Sequence, residues 1–250
     1  MAVHFEIEAQ VATITIDRPE VRNAIDQATA HEISVSLGKA DADPDVRLIV
    51  ITGAGGSFCI GMDFEAFLRG EVIRSPTNGF AGVTQRLLKK PLIAAVEGDA
   101  LAGGFEIALA CDLIVAAEDA RFGLNETQRA LVPNAGGLMR LPRQLPPKIA
   151  AELVMTARMV SSAFLASHGL VNRIVPRGEA LSAARELAAE IVANDPLAIQ
   201  IGKRILNESP DWPASEMFSR QDALTAPLIA SARARALRFA DQDDSSLLEE

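Results

Sequence analysis

Leu92-Ile93-Ala94-Ala95-Val96, then Ala102-Gly103-Gly104-Phe105-Glu106-Ile107-Ala108-Leu109-Ala110-Cys111-Asp112, then Leu113-Ile114-Val115-Ala116-Ala117 decide how this chain folds. The outer two are short apolar runs of the kind that form strands buried on both faces. The run between them reads as a helix opened by a glycine pair. Strand, helix and strand at this spacing predict an α/β fold. Glu106 does not fit a plain core element, because Phe105, Ile107, Ala108 and Leu109 leave it little polar face. Burying an unpaired charge is expensive. Glu106 is therefore a solvent-facing residue, a buried structural ion pair or a group kept for chemistry. The glycines beside it expose backbone N–H groups at a helix start, where a negative oxygen can sit.

Working outward, Val11-Ala12-Thr13-Ile14-Thr15-Ile16 alternates as a half-buried strand and ends in the turn Asp17-Arg18-Pro19-Glu20. Residues 26–41 read as a helix, and Arg47-Leu48-Ile49-Val50-Ile51 as a buried strand leaving through Gly53-Ala54-Gly55-Gly56-Ser57. Residues 69–79, with Gly70, Pro76 and Gly79, read as a mobile loop. Beyond about residue 140 the pattern turns helical, over 143–157, 162–168, 179–194, 196–207 and 214–238, with Val171-Asn172-Arg173-Ile174-Val175 as a short extended exception. The expected organisation is a mixed core over 1–195, a helical C-terminal region over 196–240 and an acidic, disordered tail over 241–250.

A chain of 250 residues with 49% hydrophobic content can bury one sizeable core, or a core plus a small appendage. Its net charge of −9 argues against nucleic acid or an anionic membrane as partner, while leaving room for a phosphate-bearing small molecule. Cys59 and Cys111 lie far apart, and His4, His31 and His168 have no ligand spacing, so neither a metal site nor a disulfide is expected. This fits a reducing, cytoplasmic setting. The start, Met1-Ala2-Val3-His4-Phe5-Glu6, has no signal-peptide pattern, and the apolar stretch 100–117 is interrupted by Glu106 and Asp112, as a core and not a membrane span. Gly53-Ala54-Gly55-Gly56 is weak evidence for a dinucleotide loop, since no suitable helix follows it. Arg18, Arg22, Arg121, Arg129, Arg140 and Arg143 read as solvated surface unless a phosphate engages them. Glu126, in Arg121-Phe122-Gly123-Leu124-Asn125-Glu126, reads locally as an ordinary turn glutamate.

Taken in order, several segments resemble the crotonase (enoyl-CoA hydratase/isomerase) superfamily. They include Asp17-Arg18-Pro19 with Arg22-Asn23-Ala24-Ile25, Phe58-Cys59-Ile60-Gly61-Met62-Asp63, Pro91 through Gly98, Ala102-Gly103-Gly104-Phe105-Glu106, Val132-Pro133-Asn134-Ala135-Gly136-Gly137, Arg140-Leu141-Pro142 and Gly169-Leu170-Val171-Asn172-Arg173. The likeness spans roughly residues 5–230.

The resemblance implies a spiral core of ββα turns with a helical C-terminal region that packs trimers, or a dimer of trimers. It implies an acyl-CoA thioester as substrate and no separate cofactor, since coenzyme A is part of that substrate. An oxyanion hole would be formed by the N–H groups of Met62 and Gly103. Glu106 and Glu126 occupy the positions of the two catalytic glutamates of the hydratases, Glu106 activating water and Glu126 supplying a proton. Segments at Arg22, Ala24, Ile25, Ile60 and Asp63 would meet coenzyme A. Retention of both acids favours hydration of a 2-enoyl-CoA to a 3-hydroxyacyl-CoA. The alternatives are another reaction of the same fold (isomerisation, C–C cleavage or dehalogenation) and a non-catalytic acyl-CoA-binding subunit. Departures from the pattern are Asn125 in place of a frequent Pro, Leu138-Met139 in place of Thr-Gln, and a divergent Arg235-Ala236-Leu237-Arg238-Phe239-Ala240.

Overall fold

The computed structural model describes the backbone of residues 2–246 and the side chains of residues 2–232. The chain divides into two compact units, Met1–Ala193 and Asn194–Glu250. The first begins with β1 (Val3–Glu8), β2 (Val11–Ile16), α1 (Gln27–Ala42) and β3 (Leu48–Gly53), then α2 (Phe64–Leu68), β4 (Arg74–Ser75) and β5 (Gly79–Phe80). Next come β6 (Leu92–Val96), β7 (Asp99–Leu101), α3 (Gly103–Ala110), β8 (Leu113–Ala117) and β9 (Arg121–Gly123). It is completed by α4 (Gly137–Gln144), α5 (Pro147–Thr156), β10 (Val160–Ser161), α6 (Ser162–Ser167), β11 (Arg173–Val175) and α7 (Ala180–Val192).

The main sheet has six strands in the order β1-β2-β3-β6-β8-β11. Only β1 and β2 pair antiparallel; the rest are parallel. Side chains alternate between the two faces. Ile49, Ile51, Ala94, Val96 and Ala116 face the larger core with Ile33 and Leu37 of α1 and Phe105 and Ile107 of α3. Leu48, Val50, Ile93, Ala95 and Val115 face the alanine stripe Ala180, Ala183, Ala184 and Ala188 of α7. With both faces covered, these strands carry apolar residues at every position. A second sheet, β10-β9-β7, carries the chain toward the two ends that matter for function. β7 leads into Gly103, and β9 leads toward Glu126.

The fold is mixed α/β, as the alternation predicts, and differs from the sequence reading in three local places. β1 carries little hydrophobic signal because it is a mostly exposed edge strand. It is held by pairing with β2 through a two-residue turn in which Ala9 and Gln10 both have positive φ. The helix expected over 143–157 is two helices, because Leu145 before Pro146 is extended, with φ −124° and ψ 158°. Within the loop expected over 69–79, Arg74 pairs with Phe80 and Ser75 with Gly79. The glycine loop is a packing turn with no helix behind it: Asn23 Nδ2 donates to Ala54 O at 2.9 Å and Ser57 O at 2.6 Å.

The second unit contains α8 (Pro196–Glu208) and α9 (Met217–Ser246), which pack on each other. Asp195 caps α8 by accepting from Ala198 N–H at 2.9 Å. Of the expected acidic tail, residues 241–246 continue the backbone of α9, and 247–250 lie outside the described residues. The side chains of Arg235 through Ala240 also lie outside them. Among the described residues, no helix is long and apolar enough to cross a membrane.

Candidate active site

The segment Cys59–Met62 runs between two other pieces of backbone. On one side Cys59 N–H donates to Asp99 O at 3.0 Å and Leu101 N–H donates to Cys59 O at 2.9 Å. On the other side Ile25 N–H donates to Gly61 O at 2.8 Å and Asp63 N–H donates to Ile25 O at 2.9 Å. Gly61 O and the Met62 N–H are opposite ends of one trans peptide, so with Gly61 O turned to Ile25 the Met62 N–H points away from it. Gly103 is the first residue of that helix, whose first intrahelical turn leaves its N–H without an acceptor. Neither the Met62 nor the Gly103 N–H donates to any described residue. The two are close: a Cβ on Gly61 would lie 2.8 Å from Gly103 N. Gly61 has φ +92°, and Ala102, just before the helix, is held at φ +50°. Gly104 is required for the approach, since a Cβ there would lie 2.0 Å from Cys59 O. The result is a pair of preorganised donors with the positive end of α3 behind one of them.

Glu106 lies on the same helix, 2% exposed. Its Oε1 accepts from Ala135 N–H and Gly137 N–H, both at 2.8 Å. Ala135 lies in the turn before α4 and Gly137 is the first residue of that helix, with Gly136 between them at φ +109°. Burial raises the Glu106 carboxyl above its ordinary range; the Gly137 and Ala135 N–H groups and the Arg140 and Arg74 charges pull against that.

Glu126 opens a short 3-10 turn, Glu126–Arg129. Its Oε2 is buried and has no hydrogen-bond partner. Burial, reinforced by the negative Glu106, pushes its carboxyl up to about 7 against the pull of its own backbone N–H and of Arg129. The structure thus places two carboxyls within electrostatic reach and treats them differently. The one with two N–H donors is suited to carry charge, and the one with a bare oxygen is suited to keep a proton.

The other positions singled out in the sequence have mixed surroundings. Arg22 has a half-exposed side chain, paired with Asp99. Ala24 N–H donates to Val21 O at 3.1 Å and its carbonyl accepts from Arg18 Nη1 at 2.6 Å. The Ile25 N–H and C=O are both used by Gly61 and Asp63. The Asp63 carboxylate caps α2 by accepting from Glu65 and Ala66 N–H, and pairs with Arg18 at 3.1 Å. Ile60 is partly exposed beside them. Burial pushes the Cys59 thiol up to about 12, which leaves it un-ionised and inert at neutral pH. Among the described residues, no group of three or more His, Cys, Asp or Glu could hold a metal ion.

Two arginines expected at the surface are structural parts of the site. Arg18, 17% exposed, bridges Asp26 and Asp63 at 3.1 Å each. Arg140 crosses Gly136 and donates to Thr84 O. Asp63 and Thr84 are distant in sequence from these arginines, so no local signal marks the contacts.

A crotonase-type arrangement is thereby assembled: an α/β core presenting two free backbone donors, the buried Glu106 and the half-buried Glu126. The chain belongs to the enoyl-CoA hydratase/isomerase family, whose model matches residues 6–236. It is 42% identical over 221 residues to carnitinyl-CoA dehydratase of Salmonella enteritidis PT4, covering 87% of this chain and 84% of that protein. Enoyl-CoA hydratase EchA1 from Mycobacterium marinum superposes with a TM-score of 0.92 at 44% identity, over 96% of each chain. Carnitinyl-CoA hydratase from Mycobacterium avium superposes with a TM-score of 0.81 at 41% identity, over 90% of each chain.

Proposed function

We propose that the protein is a hydro-lyase that adds water reversibly across the conjugated double bond of a 2-enoyl-CoA thioester, giving the 3-hydroxyacyl-CoA. The observation that carries this reading is the pair itself: Glu106 accepts two backbone N–H bonds, while the buried Glu126 Oε2 accepts none. The thioester oxygen lies between the Met62 and Gly103 N–H groups, which take up the negative charge that develops there as water attacks. Such donors contribute ~3–4 kcal/mol to an enolate-like transition state. Glu106, ionised, takes a proton from water as the oxygen bonds to Cβ. Glu126, protonated, delivers its proton to Cα as the enolate collapses. The two acids end with their protons exchanged, and solvent resets them; dehydration is the same path reversed.

Coenzyme A arrives as part of the substrate, and no separate cofactor takes part. The half-exposed guanidinium of Arg22 is the charged group offered to its phosphates, with Ala24, Ile25, Ile60 and Asp63 forming the wall beside it. Ala24, Ile25 and Asp63 have their polar groups engaged within the chain and contribute shape. The assembly is a homotrimer or a dimer of trimers, working in the cytoplasm, where two buried free thiols persist.

Loss of conjugated absorbance from crotonyl-CoA and longer enoyl-CoAs tests the reaction. Wild type that runs no faster than an E106A/E126A double variant at every chain length sinks it. The relatives named carnitinyl-CoA dehydratase favour a second substrate, so carnitinyl-CoA is assayed alongside, in the dehydration direction, by gain of conjugated absorbance. A preference for it over simple 3-hydroxyacyl-CoAs assigns the tail without altering the chemistry.

A further inference from the structure

The Ala135 N–H that holds Glu106 belongs to the same peptide group as the Asn134 carbonyl. That carbonyl accepts from Arg74 Nη1 at 2.9 Å, while the N–H at the other end of the peptide donates to Glu106 Oε1 at 2.8 Å. A guanidinium, one peptide and a carboxylate therefore lie in series. A positive donor on the carbonyl polarises the peptide and strengthens its N–H as a donor on the far side. We propose that Arg74 is a positioning residue for Glu106: through the Asn134–Ala135 peptide it fixes the carboxylate in place and supplies its counter-charge. The inference rests on the reading of Glu106 as the base.

Arg74 is not isolated in the loop. It pairs across the β4–β5 ladder with Phe80, and a Cβ on Gly103 would meet the Phe80 ring at 2.7 Å. One two-stranded hairpin thus touches both halves of the site, Phe80 packing its ring against Gly103 and Arg74 reaching the turn that holds Glu106. Arg140 ties the same parts in the opposite direction, from α4 to Thr84 just beyond the hairpin. The charged groups that bear on the Glu106 carboxyl are Arg140 from α4, Arg74 from β4 and, across the site, Glu126. Arg74 is exposed, so water screens its direct field. The peptide relay and the burial of Glu106 preserve its effect at the carboxylate.

The experiment compares wild type, R74A and R74K by the pH dependence of kcat/KM on crotonyl-CoA, with a parallel carbon-13 NMR titration of carboxyl-labelled glutamate, Glu106 being assigned with E106Q. Loss of the cation disfavours the ionised base. In R74A the acidic limb is therefore expected to move to higher pH, with about a threefold loss on the acidic side that closes toward the plateau. The Glu106 carbon signal is expected to titrate later in step, and R74K to retain the wild-type limb. An R74A limb and Glu106 titration superimposable on wild type overturn the proposal. So does an equal loss at every pH with an unmoved Glu106 titration, which makes Arg74 only an anchor of the turn. Wild type without hydratase activity defeats the catalytic reading instead, and the NMR titration then still decides whether Arg74 acts on Glu106.

Discussion

Glu106 and Glu126 differ by their hydrogen bonds before they differ by anything else. Glu106 Oε1 is gripped by the N–H groups of Ala135 and Gly137, each at 2.8 Å, whereas the buried Glu126 Oε2 accepts no hydrogen bond. Two carboxyls that share one dry site repel when both are charged, and an asymmetry of donors decides which one ionises first. In the proposed reaction that division supplies a base and an acid at the same pH.

Substitutions that keep shape but remove charge follow from this. E106Q keeps an amide oxygen for the Ala135 and Gly137 N–H groups, so its melting temperature is expected to stay near wild type while kcat falls roughly 10²–10⁴-fold. E126Q is expected to lose a similar factor for want of a transferable proton. Steady-state kinetics beside thermal melts check both, and a kcat within twofold of wild type for either contradicts its assigned role.

The Glu126 carboxyl lies at about 7, above its ordinary value of 4.5. The folded chain then holds a proton that the unfolded chain has released, so stability is full below the ordinary value and falls as pH rises through about 7. E126Q removes that cost. It is expected to be more stable than wild type at pH 8 by roughly 1–3 kcal/mol and close to wild type at pH 5. Denaturant melts at the two pH values measure the difference; equal gains at both assign the effect to packing alone. The same titration predicts that wild-type kcat/KM declines above about pH 7, as the acid is lost.

Gly104 is where the Cys59–Met62 segment and α3 approach closely. Alanine there puts a Cβ 2.0 Å from the Cys59 carbonyl, which is backbone and cannot swing aside. G104A is expected to lose about 1–3 kcal/mol of stability and to lower kcat as the Met62 and Gly103 donors part. G202A serves as the contrast, because nothing lies within 4 Å of that Cβ in the interior of α8. It is expected to gain about 0.5–1 kcal/mol. G104A with wild-type kinetics and stability would show that the close approach has no consequence.

Arg18 bridges Asp26 and Asp63 with little exposure on any of the three, at 17%, 20% and 12%. Removing a shared partner leaves two carboxylates facing one another in a poorly hydrated space. R18A is therefore expected to cost about 3 kcal/mol, and R18A/D63N less than the sum of its parts. A double-mutant cycle in urea reads the coupling, and strict additivity refutes it.

Much of the architecture was legible because it rests on patterns repeated along the chain. Runs such as Leu92–Val96 and Leu113–Ala117 are apolar at every position because both faces are covered, and the helix between them announces itself by its glycines. Glu106 stood out because its neighbours on the same helix are apolar, a signal carried within one turn. Glu126 did not stand out, since Thr127, Gln128 and Arg129 beside it are exposed. Its burial comes from other elements, and only the ordered family resemblance singled it out.

By itself, then, the sequence determined the α/β alternation, the apolar setting that makes Glu106 conspicuous and the glycines that let backbone approach backbone, because these follow from hydrophobic periodicity and from the absence of a Cβ. Tertiary structure alone decided the electrostatics. Arg18 reaches Asp63, Arg74 reaches the Asn134 carbonyl and Arg140 reaches Thr84, and none of these partners is near in the chain. A carboxyl's charge state depends on which donors and cations fold around it and how much water they exclude. Those are distances in space, and residue order does not contain them.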